Sequence, residues 1–147
     1  MKKVWMLFIM LNLTWFAQAQ HTNIFVKHEA AINGYDAVAY HTMNKAVKGD
    51  KKISHEWMGA KWLFSTEENK RAFVANPEKY APQYGGYCAY GVFKNDLFPT
   101  EPDAFAVVNG KLYLNYDTEV QTRWEKEKDK MIPVADKNWK TLAHKKK

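Results

Sequence analysis

The clearest pattern of hydrophobic and polar positions lies between residues 105 and 114. Two short runs, the apolar Phe105–Val108 and the mostly apolar Lys111–Leu114, flank the dipeptide Asn109-Gly110. Asn-Gly fits a tight type I′ turn, because both central residues of that turn need positive φ. We therefore predict a β-hairpin here.

A second hairpin is predicted over residues 53–64, with its turn at Gly59-Ala60. Ile53 and Trp57 fall on one face by the two-residue period of a strand, and His55 lies between them on the same face. An imidazole is therefore expected on the apolar side of this hairpin.

Helices are predicted after each hairpin. Ser65 and Glu68 have the spacing of a capping box, so a helix is expected to begin after Ser65 and to end near Ala75. The residue before Pro77 disfavours helical angles, which sets that end. Asp117 or Thr118 is expected to cap a later helix.

The C-terminal region is predicted to form two helices. The first carries Val120 and Trp124 and continues to about Lys130, and Pro133 begins a second, shorter one. The length left after a signal peptide suits one domain with its own core and is too short for two. The predicted segments are a signal peptide at 1–19, a lead-in at 20–31, the main domain at 32–116, packed C-terminal helices at 117–143 and a basic tail at 144–147.

The N-terminus has the composition of a secretory signal peptide. Lys2 and Lys3 precede a mostly apolar run over residues 4–16, and Ala17-Gln18-Ala19 is a small-x-small cleavage pattern. The apolar run is short for a bilayer span, so no stable membrane anchor is expected. We expect cleavage after Ala19 and a periplasmic or secreted protein.

Charge and cysteine content narrow the function classes. The 147 residues carry a formal charge of +6, but basic and acidic residues are interspersed, as on a solvated surface. Together with export, this argues against a nucleic-acid partner. The chain has one cysteine, Cys88, so it cannot form an internal disulfide.

Cys88 lies near the end of a tyrosine-rich segment, residues 76–90, which we call the tyrosine loop. Pro77 and Pro82 prevent a long helix there, and Gly85-Gly86 permits unusual backbone angles. Four tyrosines bring more aromatic surface than a solvated linker carries. The loop is therefore expected to pack on the core and to hold Cys88 in a fixed setting.

Several motifs in order resemble the YHS domain family over roughly residues 32–114. They are Tyr35-Asp36-Ala37-Val38-Ala39-Tyr40, Trp62-Leu63-Phe64-Ser65, Phe73 with Asn76-Pro77-Glu78-Lys79-Tyr80, and Tyr84-Gly85-Gly86-Tyr87-Cys88-Ala89. The last of these, with residues 112–116, resembles an exported branch of the family. The resemblance implies a small α+β domain and, for many members, handling of heavy metals, copper especially, through thiolates.

The sequence departs from the metal-binding pattern of that family. Ala39, Ser65 and Asn69 occupy the positions where the metal-type members carry cysteines, and Ala37 replaces the usual proline. Cys88 is the only thiol left. The thiolate set that the resemblance implies is therefore absent.

Cys88 is nevertheless our leading metal-ligand prediction, because a thiolate is soft and suits Cu(I). His41 and His55 are its predicted companions, and Met43 and Met58 are further possible ones, although none has a diagnostic spacing. This interpretation makes the protein a binder of copper or a similar soft ion in metal homeostasis or trafficking, without enzymatic turnover.

Two alternatives remain open from the sequence. In the first, Cys88 is structural and the protein is a non-catalytic module whose aromatic loop binds a small ligand or a protein. In the second, Cys88 is the nucleophile of a thiol-dependent enzyme. The absence of a Cys-x-x-Cys motif or a recognisable Cys-His-Asn order makes the enzyme the less favoured of the two.

Overall fold

The computed structural model describes residues 23–145. The predicted signal peptide, residues 1–19, lies outside the described residues. The described chain forms three antiparallel strand pairs and five α-helices. The strands are β1 (Val26–Lys27), β2 (Ala30–Ala31), β3 (Asp50–Trp57), β4 (Ala60–Phe64), β5 (Phe105–Val108) and β6 (Lys111–Leu114), and the helices are α1 (Ala37–Thr42), α2 (Glu67–Ala75), α3 (Pro77–Tyr80), α4 (Ala89–Phe93) and α5 (Thr118–Leu142).

Both predicted hairpins are confirmed, but the turn of the second lies at Met58-Gly59, with φ of 54° and 73°, and not at Gly59-Ala60, because Ala60 already pairs with Trp57. In β5–β6, Phe105 pairs with Leu114, and the turn residues Asn109 and Gly110 have φ of 51° and 74°. Both values are positive, as the predicted type I′ turn requires of its two central residues. In β3–β4, His55 pairs with Trp62.

The α2 cap differs from the prediction. Thr66 is the N-cap, and its hydroxyl accepts a hydrogen bond from the Asn69 backbone N–H at 3.0 Å. Ser65 instead donates its hydroxyl to Asp36 at 2.6 Å. The Ser65 hydroxyl is therefore bound to the buried Asp36 carboxylate, and the next residue, Thr66, caps the helix.

The C-terminal region also differs, because Pro133 does not begin a helix. It lies within α5, which is capped by Asp117 as predicted, and the helical angles are interrupted earlier, at Glu127, where φ is −130°. Trp124, Met131 and Ala135 are buried on both sides of this interruption. Packing of that apolar face keeps the two parts in one element despite the proline.

The core consists of two clusters that meet at β6. Leu112 and Leu114 pack into a cluster with the β3–β4 hairpin, α1 and α2, whereas Tyr113 packs into a second one with α4 and α5. Successive strand residues point to opposite sides, so one strand serves both clusters. The tyrosine loop joins them as well, because Ala81 belongs to the first and Tyr84 to the second.

This arrangement confirms the α+β class. Within residues 23–145, no helix combines the length and the apolar character that a membrane crossing requires. The segment limits proposed from the sequence stay a prediction.

Candidate functional site

Cys88 is buried, with 2% of its surface exposed, in the part of the tyrosine loop that leads into α4. Its backbone N–H donates to the Phe98 carbonyl at 3.0 Å. Its sulfur caps α4 by accepting the Gly91 N–H at 3.4 Å, and its thiol lies 3.7 Å from Asn115 Oδ1. The sulfur therefore takes part in the local hydrogen bonding, in the fixed setting that the loop composition predicted.

Burial raises the pKa of the Cys88 thiol above its ordinary value of 9.0. Backbone N–H groups of Gly91, Tyr116 and Tyr90 act in the opposite direction, and nearby Asp117 adds to the rise. The thiol is consequently protonated at neutral pH. A neutral thiol is a weak nucleophile and must lose its proton before it binds a soft metal.

A cleft of about 490 Å³ borders Cys88. Its other lining residues include Tyr90, Phe98, Tyr116 and Val120 and two charged side chains, Lys94 and Asp96, with no histidine or methionine. There is thus open space beside Cys88, but no imidazole or thioether side chain lines it.

The predicted companions of Cys88 lie in other elements. His41 is in α1, with its Nε2 3.2 Å from the Tyr80 carbonyl and its ring centroid 5.5 Å from that of Tyr80. Burial lowers the pKa of His41, while the bond to the carbonyl acts against that effect. His55 is half-buried in β3.

Residues 23–145 contain no group of three or more histidine, cysteine or acidic side chains able to hold a metal ion. The structure therefore does not bring Cys88, His41 and His55 together as one ligand set. The methionines considered as further ligands, Met43 and Met58, are both exposed.

The three positions at which the resemblance expects thiolates do meet in space, around Asp36. This carboxylate is fully buried, and it accepts the Ala39 N–H at 3.2 Å, the Ser65 N–H at 2.8 Å and the Asn69 side-chain amide at 2.7 Å. Val38 N–H and the Ser65 hydroxyl complete the set at 2.9 and 2.6 Å. Hydroxyl and amide groups that donate to a carboxylate are not soft-metal ligands, so this cluster does not fit a copper ion.

The tyrosine loop also forms one wall of an aromatic groove of about 470 Å³. Residues 81–85 line it, opposite the β3–β4 tip with Trp57 and Met58. Helix α5 contributes Asp136 and Trp139. Glu78, Gln83 and Lys111 add polar groups, so the lining is a mixture of aromatic, aliphatic and polar side chains.

The groove wall around Tyr84 is held by specific contacts. The Tyr84 hydroxyl donates to Asp136 Oδ1 at 2.8 Å, and the Tyr84 and Trp139 ring centroids are 6.0 Å apart in an edge-on arrangement. Gly85 allows this packing, because it has φ of 60° and a Cβ there would lie 2.0 Å from the Asn23 carbonyl oxygen. The loop and α5 thus form one fixed wall.

Sequence reasoning missed Asp136, Trp139 and Asn115 as site residues. Asn115 is fully buried, and its Oδ1 accepts the Tyr90 N–H at 3.2 Å, while its Nδ2 has no hydrogen-bond partner. Trp139 lies in the region predicted as the second C-terminal helix, and a helical period shows burial but not the neighbours of a side chain. No local pattern marked Asp136, and Asn115 belonged to a motif that indicated only the family resemblance.

Comparison with known families gives one match. Residues 38–84 match the family model of the YHS domain, which confirms the resemblance over that segment. The YHS domain is a metal-associated family. The matched residues include the β3–β4 hairpin, α2 and α3 and end before Cys88. Searches of curated proteins and of solved structures gave no significant match.

Proposed function

We propose that this protein, whose residues 38–84 match the YHS domain, is a binding module without catalytic turnover. It binds a small ligand in the aromatic groove, and Cys88 is structural. Residues 1–19 lie outside the described residues, but their composition supports export. We therefore place the module in a periplasm or outside the cell.

The observation that carries this proposal is the groove itself. Ligand sites are concave, mostly apolar surfaces with a few polar groups, and volumes of about 300–1,000 Å³ are usual. The groove, at about 470 Å³, combines Trp57 and Trp139 with the polar side chains of Gln83 and Lys111. Both core clusters contribute to its walls, which makes it rigid before a ligand arrives.

The setting of Cys88 supports a structural role. Its sulfur caps α4, burial keeps it protonated, and no imidazole lines the cleft beside it. A thiol enzyme would need a lowered pKa or an adjacent base. These observations favour the binding module over the enzyme.

The proposal is tested by NMR titration of the ¹⁵N-labelled protein with a panel of neutral sugars, amino acids and organic cations. The indole N–H signals of Trp57 and Trp139 should shift with at least one ligand class. Trp124 provides an internal control, because it is fully buried in the second cluster and does not line the groove. A panel that leaves the Trp57 and Trp139 signals unchanged would contradict the proposal.

Soft-metal binding at Cys88 is the second candidate. The cleft beside the thiol and the metal association of the YHS family favour it. Copper in the Cu(I) state should then raise the melting temperature of the wild type but not of Cys88→Ser, because a ligand of the folded state stabilises it by mass action. Equal shifts in the two proteins would remove Cys88 from any metal site.

A further inference from the structure

We propose that the ligand of the aromatic groove carries an organic cation of the quaternary ammonium type, an inference that rests on the proposed function. The groove places aromatic rings and unpaired carboxylates around one space. That combination suits a quaternary ammonium ion, which is positively charged at every pH and has no N–H group to donate.

The aromatic component comes from two ring pairs. Trp57 and Trp62 have centroids 5.6 Å apart at the hairpin tip, and Tyr84 and Trp139 have centroids 6.0 Å apart across the loop and α5. All four residues line the groove, but Trp62 and Tyr84 are almost completely buried, so the ring surfaces open to a ligand are those of the half-buried Trp57 and Trp139, each held by its partner ring. The faces of such rings attract a cation within about 6 Å, and Trp attracts it most strongly.

The charge of the groove is opposite to that of the chain. Glu78 and Asp136 line it with a single basic residue, Lys111, although the whole chain carries +6. The ion pairs between described residues are Lys27–Glu101, Arg123–Glu119 and Lys130–Glu127, so neither groove carboxylate is neutralised by a salt bridge. A cation in the groove would supply the missing partner.

Asp136 is also held in place. It accepts the Tyr84 hydroxyl through Oδ1. Burial raises the pKa of Tyr84, and Asp136 adds to that rise, so the phenol remains a donor over the physiological range. The carboxylate is therefore oriented before the ligand binds.

The alternatives fit the groove less well. A metal ion would need several ligands of the histidine, cysteine or acid type close together, and residues 23–145 contain no such group of three. A neutral sugar would stack on the same rings, but it would leave the net negative charge of Glu78, Asp136 and Lys111 uncompensated. The volume of about 470 Å³ is larger than a small ammonium group, which leaves space for an attached chain.

The test uses choline and its uncharged isostere 3,3-dimethylbutan-1-ol. Both are titrated into the full chain and monitored by the Trp57 and Trp139 indole signals. Choline should bind at least tenfold more tightly than the isostere. Glu78→Gln and Asp136→Asn, singly and together, should weaken choline binding and leave the isostere unaffected, and Asp129→Asn is the matched control because that side chain is exposed on α5 away from the groove.

Each result decides the question. Equal binding of choline and the isostere, or wild-type affinity in the double variant, would overturn the cation and leave a groove that binds small ligands. Failure of choline to bind while a sugar shifts the same indole signals would also overturn it and retain the proposed function. If every ligand fails, both proposals fall. Thermal melting of each variant verifies folding, and Asp136→Asn keeps an oxygen for the Tyr84 hydroxyl.

Discussion

Asp36→Asn tests the buried carboxylate at the centre of the YHS-like motifs. The change keeps the size of the side chain but replaces one oxygen with an NH₂ group. The remaining oxygen can still cap α1, since Asn caps helices as well as Asp does. The new NH₂ group then faces the Ser65 N–H and the Asn69 side-chain amide, which are donors 2.8 and 2.7 Å from Oδ2 in the wild type.

The expected loss follows from those two contacts. A hydrogen bond to a charged group contributes about 1.5–3 kcal/mol, and the Ser65 hydroxyl can rotate to accept from the new group, so we expect a loss of about 3–5 kcal/mol. For a domain of this size the melting temperature should fall by about 10–20 °C. Full burial of Asp36 means that water cannot replace the lost acceptor.

Urea denaturation monitored by tryptophan fluorescence measures the difference. The midpoint should fall while the denaturant dependence stays the same. Asp129→Asn makes the same chemical change in an exposed side chain on α5, so it should stay within about 0.5 kcal/mol of the wild type. A loss below about 1 kcal/mol in Asp36→Asn would refute this account of the cluster.

Three further predictions concern the loop, the thiol and the histidine. Gly85→Ala should lower the free energy of unfolding by about 3 kcal/mol or more, because its Cβ would clash with the Asn23 carbonyl. Gly59→Ala has free space around its Cβ and should lose only about 1 kcal/mol, for its positive φ. Urea denaturation of both variants measures the difference. Cys88 should react with iodoacetamide far more slowly in the folded protein than in urea, because burial raises the pKa of its thiol. Rapid labelling of the folded protein at neutral pH would contradict this. Burial lowers the pKa of His41, so on acidification the unfolded chain takes up a proton before the folded one, and stability should fall as the pH drops through 6.5. Thermal melts between neutral pH and about pH 5 should show a smaller fall in melting temperature for His41→Gln than for the wild type. An equal fall in both proteins would contradict this assignment.

Short-range patterns predicted the elements whose cause is local. The Asn109-Gly110 turn needs only two residues that tolerate positive φ, and the flanking apolar runs need only each other. The α2 end before Pro77 is likewise a property of adjacent residues. Ser65 was assigned wrongly as a cap because a local rule could not include Asp36, which is distant in sequence and adjacent in space.

The candidate sites follow the same division. The sequence by itself determined the α+β class, the two hairpins and the YHS resemblance, because turn chemistry, side-chain periodicity and ordered motifs are carried by neighbouring residues. Only the tertiary structure decided that Cys88 is a buried cap without imidazole neighbours, and that Trp57 and Asp136 border one groove. Such contacts depend on how distant segments pack, and periodicity shows which face is buried but not what it meets.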